Sequence, residues 1–125
     1  MYEYRAKVKR VVDGDTLDLE VDLGFTVKVD IRARLFGIDA PEMHGVRHDS
    51  EEYQKGVAAK DAIEDWLISE NPTVIVKSFD GAAIGQGKYG RWLVEVWDSD
   101  GGGDDPEECL NKHLVLEGHA VEKDY

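Results

Sequence analysis

The feature that most constrains this chain is a period-two alternation that runs, with interruptions, from Tyr4 to Leu35. From Tyr4 to Val12 apolar and basic residues roughly alternate. Leu17, Leu19, Val21 and Leu23 alternate with Asp18, Glu20 and Asp22. Val27, Val29, Ile31, Ala33 and Leu35 alternate with Lys28, Asp30, Arg32 and Arg34. Successive side chains of a strand point to opposite faces, so each run describes a half-buried strand. Asp13-Gly14-Asp15 and Gly24 break the pattern with turn chemistry, which predicts a three-stranded meander.

Gly37 to Pro41 is expected to leave the sheet, because Pro41 cannot donate to a ladder. A polar loop follows, and Asp49 with Glu52 has the spacing of a capping box. Ala59, Ala62, Ile63, Trp66 and Leu67 form one apolar helical face, and Asn71-Pro72 closes that segment. Thr73–Phe79 and Trp92–Trp97 read as a fourth and a fifth strand. Leu110, Leu114 and Val115 predict a short helix stopped at Gly118. The expected fold class is β-rich α+β: a five-stranded OB-fold Greek-key barrel with two to three packed helices, forming a single domain over residues 1–125.

Composition narrows the function classes. A chain of 125 residues with 42% hydrophobic content can bury one core. No apolar run approaches the roughly 20 residues needed to span a bilayer, and the N-terminus has no apolar stretch of a secretory leader. The lone Cys109 excludes an internal disulfide framework and a Cys-rich zinc site. The expected location is cytoplasmic. The net charge of −12 opposes nucleic-acid binding, but its distribution softens the objection. Residues 1–47 carry 8 basic and 9 acidic side chains, whereas residues 98–125 carry 2 and 9. Nine of the fifteen basic residues are lysine, which argues against salt adaptation as the source of the acidity.

Four segments carry chemistry: Val12-Asp13-Gly14-Asp15-Thr16; Arg34 through Gly37-Ile38-Asp39-Ala40-Pro41-Glu42; Lys88-Tyr89-Gly90-Arg91; and Leu110-Asn111 through Gly118-His119-Ala120. Phosphodiester cleavage needs charge neutralised on the phosphoryl oxygens, an activated water and a stabilised leaving oxygen. Asp15 and Asp39 are predicted in turns at strand ends, where two segments could converge on one hard divalent cation. Glu42 follows across a proline-stiffened turn and could hold a water beside it. Arg34 and Arg91 offer planar forks that match phosphate oxygens two at a time.

In order and spacing the four segments resemble the staphylococcal nuclease (thermonuclease) family, over nearly the whole chain. The resemblance implies a calcium-dependent nuclease acting on DNA or RNA and leaving 3′-phosphate ends. By the same resemblance, Asp15, Asp39 and the carbonyl of Ala40 would bind Ca2+, and Glu42 would orient or deprotonate the attacking water. Arg34 and Arg91 would clamp the scissile phosphate, Tyr89 would line the nucleotide pocket, and Lys88 would lie near a phosphate. The chain departs from the family pattern at Gly87, where Asp is common, in a longer acidic connection at 98–108, and in a short C-terminal segment.

Plainer roles compete for the same residues. Asp13 reads as a turn former and Arg32 as part of a surface ladder of cross-strand ion pairs. Asp39 could be an Asx-turn residue and Glu42 a solvated carboxylate. His44 and His48 have zinc-ligand spacing but no third partner nearby, so they read as surface residues. Trp66, Trp92 and Trp97 read as core, and Cys109 as a small packed residue. The alternative functions are a non-catalytic OB-type module binding single-stranded nucleic acid or protein, and an acidic nucleic-acid mimic. The complete set Asp15, Arg34, Asp39, Glu42 and Arg91 favours catalysis. The expected partner is a DNA or RNA substrate and no membrane, and the chain is expected to be a monomer, although nothing in the sequence reads out its oligomeric state.

Overall fold

The computed structural model describes residues 2–67, 73–78, 92–98 and 108–123. The alternating segments form β1 (Tyr2–Asp13), β2 (Thr16–Gly24) and β3 (Val27–Leu35), an antiparallel meander. The short β4 (Ile38–Asp39) follows, then helix α1 (Glu51–Trp66), β5 (Thr73–Ser78), β6 (Trp92–Asp98), helix α2 (Leu110–Leu116) and the short β7 (Val121–Glu122). Five strands close a barrel in the order β1-β2-β3-β6-β5, with β5 pairing back onto β1. Only the β3–β6 seam is parallel, over Ala33–Leu35 against Trp92–Val94. This is the β-rich, OB-like barrel with packed helices that the sequence predicts.

The core follows from the alternation. Leu17, Leu19, Ala33, Leu35, Val74, Val76, Val94 and Val96 turn their side chains inward and are almost completely buried. α1 packs on β1 through Ala59 and Ile63, and α2 packs on β6 through Leu110 and Leu114. Among the described residues, no helix is long and apolar enough to cross a membrane.

Asn111 ties α2 to the barrel. Its amide oxygen accepts the Val96 N–H at 3.1 Å, and its amide nitrogen donates to the carbonyls of Phe36 and Val94 at 2.9 and 3.0 Å. Those carbonyls and that N–H lie on β6 and at the end of β3, so one buried side chain satisfies three backbone groups where the parallel seam ends.

Several local expectations are revised. Gly37 to Pro41 does leave the barrel, but Ile38-Asp39 pairs with Val121-Glu122 in a separate two-stranded sheet. The α1 cap is Ser50, whose Oγ accepts the Tyr53 N–H at 3.1 Å, and not Asp49, which pairs with Arg47 at 3.0 Å. Trp97 is core, but Trp92 is 40% exposed. The inward face of β3 is uncovered at its start, where Val27 and Val29 are exposed, because β6 reaches only its last residues. Arg32 does join the cross-strand ladder, bidentate to Asp18 at 2.8 and 3.2 Å.

Candidate active site

The Asp13-Gly14-Asp15-Thr16 turn joins β1 to β2 at one end of the barrel. Asp13 Oδ1 accepts the Asp15 N–H at 3.1 Å, an Asx-type contact that shapes the turn. Gly14 is buried against α1 and the site loop: a Cβ there would meet Ala59 Cβ at 2.7 Å and Ala40 Cβ at 2.9 Å. The turn therefore sits hard against the helix, and Asp15 is pressed inward with only 7% of its surface exposed.

Two hydrogen bonds orient the Asp15 carboxylate. Thr16 Oγ1 donates to Oδ1 at 3.1 Å, and the Ala40 N–H donates to Oδ2 at 3.1 Å. The second bond links the β1–β2 turn to the segment after β4. Burial pushes the Asp15 carboxyl above its usual value, and the neighbouring Asp13 carboxyl pushes the same way. Arg34 and the Ala40 N–H oppose that shift without cancelling it.

Arg34 sits opposite Thr16 in the β2–β3 register and turns out of the barrel. Its Nη2 is 2.9 Å from Asp39 Oδ1 and 3.5 Å from Asp15 Oδ2. Carboxylates from two distant segments thus meet at one cationic nitrogen. Asp39 is held there by pairing with Val121 on β7 and by the Lys123 N–H to Gly37 carbonyl bond of 2.8 Å.

Glu42 lies on the loop beyond Pro41. Its Oε1 accepts the N–H groups of Met43 at 3.2 Å and His44 at 3.0 Å, while its own N–H donates to Glu52 at 3.4 Å. The carboxylate is exposed but fastened by its own loop. Asp15, Arg34, Asp39 and Glu42 line one open cleft of about 620 Å³, together with Arg10, Asp13, Arg32 and His44.

Four of the sequence-predicted site residues are thereby brought together, Asp15, Arg34, Asp39 and Glu42, and Ala40 reaches Asp15 through its N–H, whereas its carbonyl was the atom expected to serve. Lys88, Tyr89 and Arg91 lie outside the described residues. Among the described residues, no group of three His, Cys, Asp or Glu side chains is arranged to hold a metal ion. The two converging carboxylates suit a hard cation that keeps several waters better than a zinc ion enclosed by protein ligands. The guanidinium lodged between them shows that the site accepts positive charge.

Sequence reasoning missed the support beneath the loop. A Cβ on Gly56 of α1 would meet Met43 Cγ at 2.6 Å and the Pro41 carbonyl oxygen at 2.9 Å, so the Glu42 loop lies directly on the helix there. A glycine inside a helix costs about 1 kcal/mol, and that cost was the available signal. Arg10 and His44 were missed as cleft residues. His44 Nε2 lies 3.9 Å from Asp13 Oδ2, whereas His48 stacks on Tyr53 outside the cleft at 4.5 Å.

Comparison with known proteins agrees with this geometry. The family model described as staphylococcal nuclease homologue matches residues 32–125. The thermonuclease of Staphylococcus intermedius is 33% identical over 118 residues, covering 94% of this chain and 59% of that protein. Endonuclease YhcR of Bacillus subtilis is 33% identical over 121 residues, which is 94% of this chain and 9% of that much longer protein. Uncharacterized protein MJ1439 of Methanocaldococcus jannaschii is 36% identical over 108 residues, 75% of this chain and 48% of that protein. The chain thus spans about half the length of several curated relatives it matches, and far less of YhcR. With the family model matching most of its length and the thermonuclease aligned across nearly all of it, the chain belongs to the staphylococcal nuclease homologue family.

Proposed function

We propose that this chain is a single-domain, monomeric, calcium-dependent nuclease that hydrolyses phosphodiester bonds of DNA or RNA and leaves 3′-phosphate ends. The observation that carries this reading is the convergence of Asp15 Oδ2 and Asp39 Oδ1 on one cationic nitrogen, in a cleft that also holds Glu42. Membership of a family with a thermonuclease and an endonuclease among its relatives supports it.

In this reading Asp15, Asp39 and the Ala40 carbonyl hold Ca2+, which when bound supplies charge neutralisation to the phosphoryl oxygens. Arg34 leaves the carboxylates for the scissile phosphate and presents two parallel N–H groups to its oxygens. Charge grows on those oxygens toward the transition state, so N–H groups aimed at them favour the transition state over the bound substrate. Glu42, tethered by the Met43 and His44 amides, keeps its free oxygen lone pairs for a water and accepts its proton as the O–P bond forms; the P–O5′ bond breaks in the same displacement, and the departing 5′-oxygen takes a proton from solvent, leaving the phosphate on the 3′ side. Arg91, Lys88 and Tyr89 complete the substrate site by their places in the family motif.

The test is a cleavage assay on 5′-labelled single-stranded DNA at low salt, with calcium and with a chelator. Calcium-dependent fragments whose new ends a 3′-phosphatase alters support the whole reading. Tight binding without fragments replaces it with a non-catalytic nucleic-acid binding module.

A further inference from the structure

A strand of nucleic acid must cross this molecule where positive charge outweighs negative, because attraction to phosphates is local and the chain as a whole carries −12. The two sides of the cleft differ sharply. On the α1 side a second hollow is lined, among the described residues, by Asp39, Glu51 and Glu52 with Lys55 and His119. The cleft itself holds Arg10, Arg32 and Arg34 against Asp13, Asp15, Asp39 and Glu42, with Arg34 already facing Asp15 and Asp39, so its uncompensated positive charge lies toward Arg10 and Arg32 on the barrel wall.

The three arginines have a definite arrangement. Arg34 and Arg32 are alternate residues of β3, on one face and about 6.7 Å apart along the strand. Arg32 and Arg10 flank Asp18 in one cross-strand row, since Asp18 pairs with Arg10 on β1 and with Arg32 on β3. Asp18 engages Arg32 through both oxygens at 2.8 and 3.2 Å, which holds that guanidinium flat against the sheet. Arg10 makes no direct ion pair among the described residues.

Arg10 reaches this row through a backbone irregularity. Strict alternation after the buried Val8 would turn Lys9 outward and Arg10 into the barrel. The register instead slips between Val8 and Arg10, so two residues of β1 face one of β2, and Lys9 and Arg10 are both exposed. A bulge beside an active site is a common way to re-aim one side chain. Here it delivers a cation to the wall of the cleft.

We propose that Arg10 and Arg32 form a second phosphate-binding subsite, one sheet row from Arg34, that takes a phosphate flanking the scissile one and makes the preferred ligand a polynucleotide strand rather than a mononucleotide. This inference rests on the nuclease reading for the word "scissile", but the subsite itself is a binding site for a nucleic-acid backbone. The row spacing is of the order of the separation of successive phosphates on an extended strand. One net positive charge remains in the Arg10–Asp18–Arg32 row, and the next row along β3 holds Arg34 opposite Thr16, with Asp13 at its β1 end.

The experiment measures fluorescence anisotropy of a labelled single-stranded 12-mer and of a labelled mononucleotide 3′,5′-bisphosphate. The protein is the full chain carrying Glu42→Gln, with chelator present, at several salt concentrations. Arg10→Ala is the main variant because it breaks no ion pair, and Arg32→Ala is the second. The expected result is a roughly fivefold or greater loss of 12-mer affinity in Arg10→Ala, with the slope of log K against log salt smaller by about 0.7, the value for one single-strand phosphate contact. Mononucleotide affinity stays unchanged. Equal 12-mer affinity and an equal salt slope in Arg10→Ala overturn the subsite. Cleavage by the wild-type chain, assayed in parallel, separates the two ideas. Strand binding that depends on Arg10 without any cleavage keeps the subsite and sinks the nuclease reading, and cleavage with a KM unaffected by Arg10→Ala does the reverse.

Discussion

Arg34 donates to Asp39 at 2.9 Å, so a residue assigned to the phosphate is bound to a residue assigned to the metal. The same nitrogen lies 3.5 Å from Asp15. One guanidinium thus stands between the two carboxylates, and under the proposed function a divalent cation would compete with it for them. The pairing also offsets the repulsion between two carboxylates that share a partly buried cleft.

Replacing Arg34 with Ala therefore has opposite effects on two readouts. Calcium binding without substrate tightens, because the competing cation is gone, while turnover falls by about 10²–10³, the usual cost of one transition-state donor. Calorimetric titration and initial rates check the pair. Unchanged calcium affinity would mean that the guanidinium and the ion do not share a site.

Asp15 is the group whose ionisation costs the fold most visibly. Its carboxyl titrates above its ordinary value because it is buried beside Asp13. The folded chain therefore takes up this proton more readily than the unfolded chain, so ionised Asp15 subtracts stability above the raised value. That cost fades as pH falls from the raised value to the ordinary one. Asp15→Asn is expected to raise the melting temperature in chelator at neutral pH. The gain shrinks on acidification, and the calcium response disappears. Thermal melts of both proteins across pH check this, and an Asn variant less stable at neutral pH contradicts it.

Much of this site was legible before the fold was known, because its residues lie where a strict pattern stops. Asp15 interrupts the alternation of the meander, and Asp39, Ala40 and Glu42 surround the proline that ends it. The supports were less legible because they depend on contacts between distant segments. Asp49 and Glu52 have capping-box spacing, yet Arg47 holds Asp49, and Glu52 faces the Glu42 N–H. The β4–β7 pairing that holds Asp39 involves two residues from each strand, too few for any periodicity. Val27 and Val29 keep perfect alternation and are still exposed, since alternation marks a face but not what covers it. The bulge that turns Arg10 outward hides within an alternation that is only approximate between Tyr4 and Val12.

Gly56 separates helix propensity from site geometry. Gly56→Ala improves the helix by about 1 kcal/mol intrinsically, but its Cβ falls 2.9 Å from the Pro41 carbonyl and must push the Glu42 loop away. The expected outcome is a turnover reduced about tenfold or more in a protein that remains folded, because displacing a positioned base by even 1 Å is expensive. Wild-type turnover in Gly56→Ala would show that the loop does not need its seat on α1.

The β2–β3 hairpin tip carries backbone strain unrelated to the site. Phe25 and Thr26 have φ of 55° and 63°, a pair of left-handed residues that a two-residue hairpin fills best with Asn-Gly. Phe25 is also 98% exposed, so it contributes no burial in the isolated chain. Replacing Phe25-Thr26 by Asn-Gly is expected to stabilise the protein by about 1–2 kcal/mol without altering turnover. Denaturant unfolding checks the first part and initial rates the second.

Under the proposed function Glu42 serves the chemistry and not the fold. Glu42→Gln retains an amide oxygen for the Met43 and His44 N–H groups but cannot take a proton from water. The measurement is cleavage of single-stranded DNA in calcium by the wild-type and Glu42→Gln chains, with melting temperatures determined on the same samples. Turnover is expected to fall by at least about 10²-fold at a nearly unchanged melting temperature. Undiminished turnover in Glu42→Gln, or a lost rate accompanied by a collapsed melting temperature, would contradict it.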